Sequence, residues 1–176
     1  MFCNQCQETL RNSGCNIAKG MCGKTSETAH LQDLLLYVCK GIGYWADKAR
    51  VVGYFPEEDA FFVTRMLFAT ITNANFAPSD FEHWIVEALK RRDRIRQEFS
   101  ERGGKIDAMV PDAATWNAVD LVAIRMAAAQ DKGGLLEITD EDVRALKALV
   151  LYGLKGMAAY LEHAYVLGVS SKEVFE

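Results

Sequence analysis

Apolar residues recur at helical spacing through most of the chain. Leu31, Leu34, Leu35, Val38, Ile42, Trp45 and Ala49 keep a 3.6-residue period that carries to about Val52. Ser26 is placed to cap this helix, Glu27 puts negative charge in its first turn, and Gly53 stands at its stop. Pro56 suits the first turn of a second helix, continued by Glu57, Glu58 and Asp59 and running to about Asn73 or Asn75. Pro78-Ser79-Asp80 opens a third, which ends before Gly103-Gly104. A less regular triplet follows. Pro111 precedes Asp112 and a helical pattern through Trp116, Leu121, Ile124 and Met126. After a loop at Gly133-Gly134, Thr139 or Asp140 caps a long helix from about Glu141 to Leu167, stopped by Gly168. No convincing period-two run is present, so the expected class is all-α. Two three-helix-bundle-like halves, about 26–103 and 111–176, follow an irregular loop over residues 1–25.

The first and last long helices share a pattern. Leu34, Leu36, Tyr37, Lys40, Gly41, Ala49, Val51 and Gly53 return 115 positions later as Leu149, Leu151, Tyr152, Lys155, Gly156, Ala164, Val166 and Gly168. Glycine inside a helix costs about 1 kcal/mol relative to alanine. Close helix approach is the usual compensation, so the repeat predicts shared packing roles. Ser170-Ser171-Lys172-Glu173 has the form of a capping box and promises a further helix, with about one turn of sequence left for it before Glu176. One turn cannot recover its nucleation cost, so the chain reads as cut where another element begins.

Composition narrows the setting. The chain has 176 residues, half of them apolar, which is enough for a real core. Twenty basic residues against 24 acidic ones give a net charge of −4, which argues against a nucleic-acid partner. The one dense basic run, Lys90 to Arg96, reads as a solvated helix end. No secretory signal and no membrane span is visible, so the expected location is the cytoplasm, where thiols stay reduced.

Four of the five cysteines crowd into the first 22 residues as Cys3-x2-Cys6-x8-Cys15-x6-Cys22. In a reducing compartment they read as metal ligands, the first pair chelating within one tight turn. Gly14, Gly20 and Gly23 sit where the loop must bend and where backbone N–H groups must approach sulfur. Structural zinc more often uses two tight cysteine pairs, and here there is one. Spacing alone leaves zinc and iron open. Cys39 reads as a buried structural thiol, and His30, His83 and His163 as core or surface residues. No phosphate loop, dinucleotide fingerprint or Ser-His-Asp order is present.

Met1-Phe2-Cys3-Asn4-Gln5-Cys6-Gln7-Glu8-Thr9 resembles the start of the hybrid-cluster (prismane, or hydroxylamine reductase) family. Gly20-Met21-Cys22-Gly23-Lys24, Leu31-Gln32-Asp33-Leu34-Leu35 and the segment from Leu151 to Gly168 extend the resemblance over essentially the whole chain. It implies an N-terminal domain of two three-helix bundles followed by two α/β domains. It implies a [4Fe–4S] cluster on Cys3, Cys6, Cys15 and Cys22. The gap between Cys15 and Cys22 is closer to a subgroup that carries [2Fe–2S], which is the alternative. The family also implies a hybrid iron–sulfur–oxygen cluster that reduces hydroxylamine or nitric oxide, with roles in nitrosative stress. Its ligands lie in the α/β domains, so no hybrid cluster and no catalytic residue is expected in this chain. By itself the chain is expected to be inactive. The implied role is electron transfer from a partner reductase to a catalytic α/β polypeptide. The alternatives are a stand-alone iron–sulfur sensor or interaction module, or a homodimer in which one helical face covers another.

Overall fold

A computed structural model describes residues 1–6, 13–71 and 74–175. Among these residues it contains six α-helices and two 3₁₀ turns, and no strand, in agreement with the all-α expectation. The helices are α1 (Ser26–Val51), α2 (Glu57–Ala69), α3 (Pro78–Glu101), α4 (Leu121–Ala129), α5 (Glu141–Val166) and α6 (Lys172–Phe175). No described helix is long and apolar enough to cross a membrane.

Each boundary has a local cause. Thr25, not Ser26, is the N-cap of α1: its hydroxyl accepts from Thr28 N at 3.2 Å, and Ser26 is the first helical residue. α2 stops at Ala69, short of the expected Asn73 or Asn75. Asn73 lies outside the described residues, and Asn75 instead accepts from Ala77 N at 2.7 Å, a turn that turns the chain into α3. The pattern from Asp112 to Met126 is not one helix. A 3₁₀ turn, Asp112–Ala114, is followed by a break, because Asp120 is extended and its carboxylate caps α4 by accepting from Ala123 N at 2.7 Å. Asp140, the second of the two expected candidates, caps α5 through Val143 N at 3.0 Å. α5 ends at Val166, one residue before the expected Leu167, and Gly168 follows at φ +78°.

α1 lies at the centre. Leu31, Leu34, Leu35, Val38, Ile42 and Trp45 are buried against Phe81, Ile85, Leu89, Ile95 and Phe99 of α3 and Ile124 of α4. Trp45 Nε1 donates to Ala114 O at 2.9 Å, which satisfies the one polar atom of the largest core side chain. α5 packs mainly against α2, where the Phe61 and Tyr165 rings stack at 3.7 Å and Arg65 meets Glu162 at 3.2 Å. The two matched glycines differ. A Cβ on Gly41 would stand 2.1 Å from Ala113 O, a close approach that only glycine allows, whereas a Cβ on Gly156 would meet open space. The shared packing role expected at this step is therefore absent from α5.

The basic run is solvated at Lys90, Arg94 and Arg96, which are exposed, but not at Arg92. It lies within α3, and Arg92 is fully buried, donating to the carbonyls of Trp116 and, at 3.4 Å, Ala113. Arg91 and Arg94 close on the buried Asp59 at 3.0 and 2.6 Å. Acceptors in and just after the 3₁₀ turn draw Arg92 inward, and Asp59 of α2 holds Arg91 and Arg94.

Candidate metal centre

The cysteine loop is built on a two-residue antiparallel pairing. Cys3 N donates to Cys15 O at 2.9 Å and Cys15 N to Cys3 O at 2.8 Å. Both residues are buried, with Ala29 of α1 beneath them. Gly14 adopts φ +83°, and a Cβ there would strike the Phe2 ring at 2.6 Å, so glycine is required on both counts. A second turn brings in Cys22: Gly20 N donates to Lys24 O at 2.9 Å and Gly23 N to Gly20 O at 2.8 Å. Met21 N approaches Cys15 Sγ at 3.5 Å, and the Cβ position of Gly20 lies 3.4 Å from Cys22 Sγ. Cys6 and Cys22 are half-buried, and no disulfide joins any of the five cysteines.

Among the described residues no three Cys, His, Asp or Glu side chains form a group that could hold a metal ion.

Behind the loop lies a polar shell that sequence reasoning did not single out. Lys24 is only 2% exposed, and its ammonium donates to Gln32 Oε1 on α1 and to the carbonyl of Thr70 at the end of α2, at 3.5 Å. Lys155 of α5 is 3% exposed and donates to Gln5 O at 2.9 Å and to Gln5 Oε1. Gln5 Nε2 in turn donates to Asp33 of α1. Tyr152, one turn before Lys155, donates its hydroxyl to Asn4 O. Three helices thus hold the loop by its polar atoms.

The electrostatics of this shell are unbalanced. Desolvation pushes the Lys155 ammonium down to about 7 and the Asp33 carboxyl up to about 7. Burial raises the Cys3 thiol, with a backbone hydrogen bond from Gln5 opposing it. Two buried lysines face the loop, and the one carboxylate hydrogen-bonded within the shell is Asp33. The Nε2 group of Gln32, deep in the same shell, has no partner among the described residues. An orphaned amide donor, two buried ammonium groups and four thiols suit an anionic, thiolate-bound group, and the residues present fit an iron–sulfur cluster.

The other candidates have local partners. Cys39 sits in α1 within the core, and burial pushes its thiol up to about 12, which leaves it inert. His30 meets Asp131 at 3.1 Å, His83 Nδ1 lies 2.8 Å from Ser79 O, and the His163 ring stands edge-on to Phe68 at 5.8 Å. A usable signal for the missed shell existed: Gln32 and Asp33 interrupt a leucine run, and Lys155 interrupts the apolar centre of α5.

Fold and loop define a class: an all-α domain that carries a cysteine-rich N-terminal loop on buried polar anchors. The chain belongs to the Prismane/CO dehydrogenase family, which it matches over residues 1–176. That family binds iron–sulfur clusters. A protein named hydroxylamine reductase from Halothermothrix orenii is 47% identical over 99% of this chain and 32% of its own length. Relatives of the same name from Desulfitobacterium hafniense and Nitratidesulfovibrio vulgaris are 47% and 45% identical, over 99% and 100% of this chain and 31% and 32% of their own lengths. The chain spans about a third of the length of the curated relatives it matches.

Proposed function

We propose that Cys3, Cys6, Cys15 and Cys22 hold a [4Fe–4S] cluster and that this region is the electron-transfer part of a hydroxylamine reductase-like protein. The observation that carries this reading is the pair of buried lysines, Lys24 and Lys155, behind a loop of four cysteines. A buried cation needs a compensating anion, and a thiolate-bound cluster supplies one. When bound, the cluster accepts and releases one electron at a time.

The protein's own residues do the rest. The Cys3–Cys15 pairing and the glycine turns set the thiolates, and the half-buried Cys6 and Cys22 leave the electron a short way to the surface. Buried N–H and ammonium groups stabilise the added charge. Reduction of hydroxylamine to ammonia and water takes two electrons and two protons, so two single-electron deliveries serve one turnover. The donor is a partner reductase, and the acceptor is a hybrid cluster whose ligands lie outside these residues. The setting is the cytoplasm, where the thiols remain available to iron.

Anaerobic reconstitution with iron and sulfide, followed by iron counting and EPR of the reduced protein, tests the reading. About four irons per chain and a reduced-cluster signal are expected. Two irons per chain would assign [2Fe–2S] instead, and stoichiometric zinc with no iron would overturn the proposal.

A further inference from the structure

We propose that the Tyr152–Lys155 edge of α5 is the positioning element of this metal centre, presetting the Cys3–Cys6 turn and supplying positive charge that favours the reduced cluster. The inference rests on the reading of the four cysteines as cluster ligands.

Residues three apart on a helix lie on one face, and here they reach consecutive peptide units. Tyr152 takes the carbonyl of Asn4, and Lys155 takes the carbonyl of Gln5 at 2.9 Å. Asn4 and Gln5 are the two residues between Cys3 and Cys6. In a trans peptide the C=O and the next N–H point in opposite directions. Drawing the Asn4 and Gln5 carbonyls towards α5 therefore aims the Gln5 and Cys6 N–H groups the other way, towards sulfur. N–H groups directed at cluster sulfur raise its reduction potential.

Lys155 is buried, yet both of its hydrogen-bond acceptors are neutral oxygens of Gln5, and Asp33 is reached only through the Gln5 amide. Asp33, the carboxylate that acts on Lys155, is shared with Lys40 and Lys24, and a thiolate-bound cluster beside Gln5 adds the negative charge that these cations favour. Nor is the arrangement a by-product of the helix repeat. At the matching positions of α1, the Tyr37 hydroxyl goes to Asp112 and Lys40 is exposed.

The test compares K155M, K155R and Y152F with the unsubstituted chain after anaerobic reconstitution. Circular dichroism first establishes folding. The readouts are midpoint potential by EPR-monitored titration, rate of iron loss to a chelator, and amide exchange at Gln5 and Cys6 before iron is added. K155M is expected to lower the potential, and K155R to restore it. Y152F is expected to speed iron loss severalfold and to speed exchange at Gln5. A K155M potential equal to that of the unsubstituted chain, or a K155R potential equal to that of K155M, overturns the charge role. Unchanged iron loss and exchange in Y152F overturns the positioning role. Where K155M does not fold, K155Q, which also removes the charge, replaces it under the same criteria. If the unsubstituted chain takes up no iron, the reading of the metal centre itself fails. If it does and all variants match it, only the present inference fails.

Discussion

α1 and α5 have the same length and share a residue pattern, yet the protein uses them differently. α1 is surrounded: its leucines, Ile42 and Trp45 are buried among α3, α4 and the 3₁₀ turn at Asp112–Ala114. α5 keeps Leu146, Leu149, Val150, Leu154, Met157 and Tyr160 exposed, and its buried residues are Lys155, Ala158 and Glu162. One helix is held by dispersion and apolar burial. The other turns ionisable side chains inward, and one of them grips the cysteine loop. A similar hydrophobic pattern thus supports a core in one place and a polar anchor in another, because what decides is the neighbour each face meets.

The largest expected contrast is in packing. Leu34→Ala, at a position that is 0% exposed, should cost about 2–5 kcal/mol, while Leu149→Ala, 68% exposed, should stay within about 0.5 kcal/mol. Urea denaturation followed by circular dichroism measures both, and equal losses would erase the distinction. The matched glycines come next, with opposite signs. Gly41→Ala drives a methyl into Ala113 O and should cost about 1–3 kcal/mol. Gly156→Ala meets open space and should gain up to about 1 kcal/mol. A loss at both positions would show that α5 is covered where it is described as open.

Caps sharpen the comparison by removing it. Thr25→Ala and Asp140→Ala each delete one side-chain acceptor at a helix start, and each should cost about 1 kcal/mol whatever the helix packs against. A much larger loss at Thr25 alone would mean that it serves the cysteine loop as well as the helix.

The smallest effect is electrostatic and lies on the α1 side. Hydrogen bonding from Arg125 of α4 holds the buried Glu82 carboxyl of α3 below its usual range. A depressed folded pKa gives stability that is present above the unfolded value, near 4.3, and lost as pH falls through the folded one. The stability gap between the protein and Arg125→Met should therefore be full at pH 7 and shrink below about pH 4.3. Thermal melts across that range read it directly. A gap that widens with acid would reverse the assignment.

Local chemistry made much of the fold legible. Asp140 with its following acids, Pro78 at the start of α3 and Gly53 and Gly168 after α1 and α5 all act within a few residues of where they stand. What escaped involved distant partners. The end of α2 coincides with a carbonyl claimed by Lys24, 46 residues away, and Arg92 is buried because carbonyls 21 and 24 residues on receive it. The site divides in the same way. Four cysteines in 22 residues are visible to any reading of spacing. Lys155 reaches Gln5 across 150 residues, and periodicity has no means of marking a lysine in an apolar helix as buried.

The Cys3–Cys15 pairing has a consequence for how such loops tolerate change. The reciprocal hydrogen bonds close a ring of chain whose ends are fixed by the ladder and not by the length between them. Lengthening a closed loop costs only about 0.6 kcal/mol per doubling. Residues can therefore be gained or lost between Cys6 and Cys15 at small entropic cost while Cys3 and Cys15 stay side by side. In this loop the count of residues between cysteines is a poor ruler for the distance between their sulfurs.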